Sequence, residues 1–203
     1  MSEIYDITIV GGGPVGLFAA FYGNMRQVKV KLIDSLPQLG GQPAILYPEK
    51  NILDVPGFTN LTGEELSDRL IEQVKRFDTP IFLNETVEDI QKEGNLFTIT
   101  TSRQVHQSKA VIIAMGGGAF KPRALDIEGA EDFDNVHYHV SNIQQYEGQQ
   151  VTVLGGGDSA VDWALAFDKI APTTIIHRRD NFRALEHSVE ELKQSSVSIK
   201  TPF

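Results

Sequence analysis

Two stretches of the chain repeat one pattern of strand, glycine-rich turn, helix and strand, and this repeat predicts an α/β fold. The predicted architecture is two Rossmann-like units of three layers, of which the second is incomplete. The first stretch begins at YDITIV and the second at VTVL, and each apolar run leads directly into closely spaced glycines. β-Branched runs favour buried parallel strands, and a strand that leads through a glycine turn into a helix is typical of this class.

The first unit opens with residues 5–10, which predict a buried strand. The glycines that follow have GxGxxG spacing, a helical segment comes next, and VKVKLID predicts a second strand that ends in an acid. In this motif the first glycine permits the turn, the second admits a pyrophosphate close to the backbone, and the third lets helix and strand pack closely. The acid accepts hydrogen bonds from a ribose diol, as in FAD or NAD. The predicted cofactor-binding residues are Gly11, Gly13, Pro14, Gly16 and Asp34. The alternative interpretation is a glycine-rich loop that binds nothing.

The middle of the chain predicts one helix and a set of alternating strands. The helix, residues 63–77, has Thr62 as N-cap and Glu65 three residues later, which is the capping-box pattern. The segments FLNETVEDIQKEGNLFTITT and VHQSKAVIIAM alternate as strands do, with a turn at residues 93–95.

The second unit repeats the pattern with GxGxxA spacing, and its helix leads to the strand TTII. Arg178 lies 18 residues after the third position of the motif, as Asp34 does in the first unit, so the spacing aligns Arg178 with Asp34. A cluster of cations there suits the 2′-phosphate of NADP. The predicted cofactor-binding residues are Gly155, Gly157, Asp158, Ser159, Ala160, His177, Arg178, Arg179 and Arg183. The alternative interpretation is a solvated basic face that forms salt bridges with Asp180 and Glu186.

Composition restricts the kind of protein further. The chain of 203 residues carries a net charge of −9, which argues against nucleic-acid binding. It has no cysteine, which excludes disulfides, thiolate metal ligands and a thiol redox centre within it. The start MSEIYD lacks the features of a signal peptide, and AVIIAMGGGAF is too short to span a bilayer. We therefore expect a cytoplasmic protein without membrane contact.

The histidines give no clear site. His137 and His139 would share one face of a strand, but no third ligand follows nearby, so we predict no metal site. We expect His106 and His187 to be solvated.

Together these motifs resemble the flavin-dependent pyridine-nucleotide reductases, in particular their thioredoxin-reductase-like branch. HRRDNFR after GGGDSA is similar to that branch's NADP site, PQLGGQ and DVPGF to its flavin-side loops, and AFKPR to its crossover between domains. IIAMGGG resembles the segment that closes the FAD domain. The resemblance implies that residues 1–118 form the N-terminal part of an FAD-binding domain and residues 119–203 a partial NADPH-binding domain.

One departure indicates the subfamily. The branch carries a CxxC pair before its second glycine turn, and the corresponding stretch here, HYHVSNIQQYEGQQ, has no cysteine. The chain therefore most resembles ferredoxin–NADP reductases of the thioredoxin-reductase type. This resemblance implies FAD and NADP as cofactors, ferredoxin or flavodoxin as electron carrier, a homodimer in the full-length form, and no catalytic side chain. It also implies FAD contacts at Asp34 on the adenosine ribose, Gln42 and Tyr47 along the flavin, Val87 at adenine, and Phe120 near the flavin. Lys121 and Arg123 at the crossover would either steer an acidic carrier or belong to a solvated linker.

A second departure concerns length. The family's C-terminal segment returns to the FAD domain with an aspartate after a glycine, whereas the one Gly-Asp pair here belongs to the second glycine turn. We therefore interpret the chain as an N-terminal fragment or truncated form with an exposed sheet edge. The alternatives are a catalytically silent FAD- and NADP-binding fragment, or a thioredoxin-reductase-like protein with another electron acceptor.

Overall fold

The computed structural model describes residues 3–118, 124–138, 140 and 142–203. The chain divides into two compact units, an N-terminal unit, Met1–His139, and a C-terminal unit, Val140–Phe203. Both are α/β structures built on parallel strands, so the predicted fold class is confirmed. The predicted domain boundary at residues 118/119 stays a prediction.

The N-terminal unit is built on a six-stranded sheet of order β5-β2-β1-β8-β7-β6. Its strands are β1 (Ile4–Val10), β2 (Val30–Ile33), β5 (Ile81–Phe82), β6 (Val87–Glu93), β7 (Leu96–Thr101) and β8 (Val105–Ile113). A two-stranded ribbon adds β3 (Asn51–Ile52) and β4 (Leu61–Thr62). The helices are α1 (Pro14–Met25), α2 (Gly41–Leu46), α3 (Gly63–Val74) and a 3-10 turn, Ala130–Asp132. The pairs β5–β2, β2–β1 and β1–β8 are parallel, whereas β7 pairs antiparallel with both β6 and β8.

Helix α1 packs on the centre of this sheet and carries the core of the unit. Ile9 of β1, Leu32 of β2 and Leu17 of α1 are fully buried in one cluster with Val74 of α3. Burying each such side chain contributes roughly 1.5–3 kcal/mol, which fixes α1 against β1 and thereby fixes the turn between them.

The predicted capping box is confirmed. The Thr62 hydroxyl accepts a hydrogen bond from the Glu65 N–H at 3.1 Å, and the Glu65 carboxylate accepts one from the Thr62 N–H at 2.9 Å. The helix ends at Val74, three residues before the predicted end at 77, and Lys75 is its C-cap. The predicted turn at residues 93–95 is also confirmed, because Gly94, with φ +61°, joins β6 to β7.

The C-terminal unit has a parallel sheet of order β11-β10-β9. Its elements are a 3-10 turn (Ile143–Tyr146), β9 (Val151–Leu154), α4 (Asp158–Asp168), β10 (Thr173–Ile176), α5 (Glu186–Gln194) and β11 (Ser198–Lys200). Val161 and Ala164 of α4, Ile175 of β10 and Leu192 of α5 form its fully buried core. Both helices therefore hold the central strand β10, and the loop after β10 begins at a fixed point.

Candidate functional site

The first glycine turn, between β1 and α1, has a backbone that only glycine accommodates. Gly11 has φ +109°, and a Cβ built there would lie 2.4 Å from the carbonyl oxygen of Ala114. A Cβ on Gly16 would lie 1.8 Å from the carbonyl oxygen of Gly11. Gly13 is the N-cap of α1 and supplies no capping side chain, and Pro14 is the first helical residue. The turn therefore presents a helix N-terminus without a side-chain cap, which favours an anionic ligand.

Asp34 is held directly beside this turn. Its side chain is 7% exposed, and one carboxylate oxygen accepts a hydrogen bond from the Gly12 N–H. The other oxygen accepts a hydrogen bond from the Leu36 N–H at 2.8 Å. A carboxylate has about four acceptor positions, so Asp34 keeps capacity to accept from a ribose diol while its orientation is fixed.

The adjacent glycines Gly40 and Gly41 approach the same turn, although the sequence motifs did not single them out as binding residues. Gly40 and Gly41 have φ +112° and +64°, and a Cβ on Gly41 would lie 2.7 Å from the Cα of Gly13. The Gly40 N–H donates to the carbonyl of Gly12 at 2.9 Å. The glycine doublet in PQLGGQ was the available signal, because adjacent glycines with positive φ are typical of a loop that needs close backbone approach.

The predicted flavin-side residues follow this loop on α2. Gln42 lies in the first turn of the helix, and a Cβ on Gly117 would lie 3.6 Å from its Nε2. Tyr47 is the C-cap of α2 and is half-buried, with the Lys50 ammonium 5.6 Å from its ring centroid. Gln42 therefore lies close to the glycine segment after β8, as a residue lining one cofactor site would.

The predicted adenine contact, Val87, begins β6 at the end of a segment that is tied to Asp34. The Asp34 N–H donates to Phe82 at 2.9 Å, and the Glu85 N–H donates to the Asp34 carbonyl at 3.0 Å. The Asn84 N–H donates to Leu36 at 2.9 Å. These backbone bonds lay residues 82–85 along Asp34 and lead the chain into Val87.

A buried polar cluster of Lys31, Glu85 and His106, here the Glu85 cluster, lies behind this segment. His106 is 5% exposed, so the expectation that it is solvated was wrong, whereas His187 has a 77% exposed side chain as expected. His106 Nε2 lies 2.7 Å from Glu85 Oε1, and its Nδ1 lies 3.1 Å from Lys31 Nζ. These residues come from distant parts of the sequence, so no local pattern could indicate that they meet.

Burial changes the ionisation of both charged members of the Glu85 cluster. It lowers the pKa of Lys31 to about 8, against the opposing attraction of Glu85. Burial also acts to raise the pKa of Glu85, but hydrogen bonds from Thr101, His106 and Gln104 outweigh it and hold that pKa below its ordinary value. Both shifts follow from groups that are removed from water but remain hydrogen-bonded.

The second glycine turn, between β9 and α4, leaves open space where a ligand would approach. A Cβ on Gly155 would lie 2.9 Å from the Ala160 methyl, whereas a Cβ on Gly157 would meet nothing within 4 Å. Gly157 is the N-cap of α4 without a capping side chain. The exposed Ser159 lies in the first turn of α4. A substituent at Gly157 would therefore project into space that a bound nucleotide could use.

Two hydrogen bonds attach the basic loop to this turn. Asp158, the first residue of α4, accepts a hydrogen bond from the Leu185 N–H at 2.9 Å. The Arg183 N–H donates to the carbonyl of Gly156 at 2.7 Å. We refer to these two bonds as the loop clamps.

The register of β10 corrects the alignment of the two units. The Gly11 N–H donates to Ile33 at 2.8 Å, and the Gly155 N–H donates to Ile176 at 3.0 Å, so Ile176 occupies the position of Ile33. His177, and not Arg178, therefore stands where Asp34 stands. The prediction was wrong by one residue because α4 has 11 residues where α1 has 12, while the connection from helix to second strand has the same length in both units.

His177 fills the place that the Asp34 carboxylate fills in the first unit. A Cβ on Gly156 would lie 2.4 Å from the His177 ring, which stacks on Phe182 at 5.5 Å between centroids. Within the described part of the chain, its buried Nε2 has no hydrogen-bond partner. The histidine thus packs against the turn, and the arginines after it extend outward.

The three arginines of the loop are available to a ligand. Arg178, Arg179 and Arg183 are exposed, and none of them forms an ion pair with any residue that the structure describes. The alternative of salt bridges to Asp180 and Glu186 is therefore not realised in this structure. With Gly156, Gly157 and His177, the arginines line a shallow depression of about 100 Å³. Guanidinium groups clustered over an uncapped helix N-terminus favour a phosphorylated ligand.

Four residues named in the sequence analysis fall outside the described residues: Phe120, Lys121, Arg123 and His139. Over residues 3–118, 124–138, 140 and 142–203, no three His, Cys, Asp or Glu side chains gather as a metal site would require. No helix in that same part of the chain is long and apolar enough to cross a membrane.

Fold and site together define a protein with two Rossmann-type glycine turns, one beside an acid and one beside arginines. The family model described as "Pyridine nucleotide-disulphide oxidoreductase" matches residues 8–197, and the chain belongs to this family.

Individual relatives and solved structures that resemble the chain are consistent with this family. The chain is 76% identical over its whole length to a ferredoxin–NADP reductase of Streptococcus pneumoniae and 77% identical to one of Streptococcus gordonii, and it spans 63% of the length of each. A solved thioredoxin reductase of Lactococcus lactis superposes with a TM-score of 0.82 at 30% identity, over 98% of this chain and 64% of that one. A thioredoxin reductase of T. acidophilum gives 0.83 at 23% identity, over 98% and 64%, and shows the fold alone. The resemblance to thioredoxin-reductase-like ferredoxin–NADP reductases, predicted from the motifs, is thereby confirmed.

Proposed function

We propose that the chain is the nucleotide-binding portion of an FAD-dependent ferredoxin–NADP(+) reductase. Electrons would pass between NADPH and ferredoxin or flavodoxin through FAD, without a redox disulfide. The observation that carries the proposal is the opposite chemistry of the two glycine turns: a fixed carboxylate beside the first and three exposed arginines beside the second. The names of the streptococcal relatives support the same assignment.

The first turn fits FAD. Gly11 and Gly16 leave no room for a side chain, Gly13 leaves the helix N-terminus uncapped, and Asp34 offers acceptor positions to an unphosphorylated ribose. Gln42 and Tyr47 on α2 are proposed to lie along the flavin, and Val87 at the adenine. Phe120, proposed to pack near the flavin, rests on the motif alone.

The second turn fits NADPH. Gly157 leaves space for the pyrophosphate, and Arg178, Arg179 and Arg183 are proposed to bind the 2′-phosphate. Asp158 holds the basic loop, so its proposed role is to orient the loop rather than to face the cofactor. A carboxylate at the position of His177 would repel the phosphate, whereas the packed imidazole does not.

The chain has no cysteine, so none of its own residues supplies a thiol to an electron path. When bound, the flavin supplies the electron chemistry, and the residues named above bind and orient the two cofactors. Residues 1–118 and 119–203 are the proposed FAD and NADPH domains. A cytoplasmic location and a homodimer of the full-length protein complete the proposal.

A second candidate follows from length. Because the chain spans 63% of the streptococcal relatives, it is alternatively a portion that binds nucleotides but does not turn over. The two candidates differ in one outcome, which is whether bound FAD is reduced by NADPH.

The test is an anaerobic titration of the chain, reconstituted with FAD, with NADPH and in parallel with NADH. Loss of the visible flavin absorption that is faster than for free FAD, and stronger with NADPH than with NADH, is the expected result. Retained FAD without bleaching supports the second candidate. No retained FAD and no binding of NADPH refute both.

A further inference from the structure

The Glu85 cluster is chemically connected to the loop that leads to Val87. Glu85 is 2% exposed and accepts hydrogen bonds from the Thr101 hydroxyl at 2.6 Å and from the Gln104 side chain at 3.3 Å, besides its contact with His106. Its carboxylate is therefore fixed from three directions by residues of β7, β8 and the turn between them.

The order of donors in the cluster follows from the chemistry of lysine. A protonated lysine has only donors, so Lys31 donates to Nδ1 of His106, which is then the acceptor nitrogen of a neutral imidazole. Nε2 consequently carries the proton and donates to Glu85. The imidazole thus joins a buried cation to a buried carboxylate, and the net charge of the cluster is zero.

Aromatic rings pack against the lysine and the histidine of this arrangement. The Lys31 ammonium lies 4.6 Å from the centroid of the Tyr5 ring, and the His106 ring meets the Phe82 ring edge-on at 4.9 Å. Apolar residues of similar volume would fill such a place at equal or lower cost, because burying paired charges rarely adds stability. We therefore interpret the polar arrangement as one that fixes the position of Glu85 rather than one that adds stability.

The backbone of Glu85 carries that geometry to the site. The Glu85 N–H donates to the carbonyl of Asp34, whose carboxylate is the proposed ribose acceptor. The preceding residue, Asn84, has φ +52°, in the left-handed region that asparagine adopts more readily than most residues, and it turns the chain toward Glu85. Two residues after Glu85, Val87 enters β6.

We propose that Glu85, held by His106 and Lys31, is a positioning residue that sets residues 84–87 against Asp34 and thereby determines the affinity for the adenosine end of FAD. The proposal rests on the proposed function, since it takes the first turn as the FAD site. It goes beyond that function in naming a buried cluster that is not among the proposed cofactor contacts.

The experiment compares three ligands on the whole chain. FAD and ADP both carry adenosine diphosphate, while FMN carries the flavin without adenosine. Because the second turn is also proposed to bind an adenosine diphosphate, ADP is measured by its displacement of bound FAD. Kd values for all three are measured for wild type, Glu85→Ala, Glu85→Gln and His106→Gln, with Glu88→Gln as control because Glu88 is exposed and lies three residues further along the chain, on β6. Thermal unfolding without ligand is recorded for each, and Glu85→Gln carries the test if Glu85→Ala does not fold.

The expected result is a Kd for FAD and for ADP that rises by roughly tenfold in Glu85→Ala, with an unchanged Kd for FMN. Glu85→Gln and His106→Gln should show smaller rises, and Glu88→Gln none. Equal weakening of all three ligands would mean a general structural role and would overturn the proposal, as would unchanged values in every variant. A wild-type chain that binds neither FAD nor ADP refutes the proposed function first, and the role of Glu85 with it.

Discussion

Replacing both Arg178 and Arg179 by glutamine should remove the preference for NADPH. Both guanidinium groups are exposed and have no ion-pair partner among the residues that the structure describes, so the change breaks no existing interaction. Each charged hydrogen bond to a phosphate contributes about 1.5–3 kcal/mol, and exposure argues for the lower value. Two such bonds amount to about 3 kcal/mol, or roughly a 150-fold loss of affinity.

The assay is calorimetric binding of 2′,5′-ADP and of AMP to the chain without flavin, so that the result does not depend on turnover. The affinity for 2′,5′-ADP should fall by that factor, while the affinity for AMP stays within about twofold, because AMP lacks the 2′-phosphate. Arg103→Gln, an exposed arginine in the N-terminal unit, is the matched control and should change neither. An equal loss for both ligands in the double variant would refute the assignment of these arginines to the 2′-phosphate.

Three further predictions test the turns, the buried lysine and the helix cap. Gly16→Ala should unfold the N-terminal unit at a lower urea concentration, because its Cβ would lie 1.8 Å from a carbonyl oxygen. Gly157→Ala, whose Cβ would meet nothing within 4 Å, should leave the urea midpoint unchanged but weaken the binding of 2′,5′-ADP. The opposite pattern would contradict the assigned geometry. The pKa of Lys31 is lowered to about 8 from an ordinary 10.5, so the unfolded chain binds more protons between these values and the free energy of unfolding should rise with pH from 8 to 9.5. Urea titrations at several pH values should show that rise in wild type and lose it in Lys31→Met, and an unchanged slope would exclude Lys31 as its source. Thr62→Ala should cost about 1 kcal/mol of unfolding free energy by removing the capping box, while Thr59→Ala, at an exposed position, serves as its control in the same titration.

The parts of the molecule that local sequence dictates were predictable. The glycine turns, the Thr62 capping box and the order of the elements each depend on residues within a few positions of one another. The requirement for glycine at position 16 follows from one turn of backbone, because its Cβ would meet the carbonyl of Gly11, so the motif alone could indicate it.

The parts that depend on distant residues were not predictable in the same way. His106 contacts Lys31 of β2 and Glu85 of the loop before β6, and nothing near position 106 indicates that these contacts bury it. Counting along the chain aligned Arg178 with Asp34, but hydrogen bonding between strands sets the register and gives that place to His177. The approach of Gly41 to Gly13 likewise depends on a loop whose path the sequence leaves open.

The loop clamps determine when the backbone of the basic loop loses its conformational freedom. Asp158 and Gly156 fix the backbone of the basic loop to the second glycine turn before any nucleotide arrives. The loop therefore loses its backbone freedom when the chain folds, and a ligand meets a preorganised surface on which only the arginine side chains remain to be ordered. Grafting HRRDNFR onto another glycine turn without these two bonds would transfer the charges but not the preorganisation, and the selectivity gained would be correspondingly smaller.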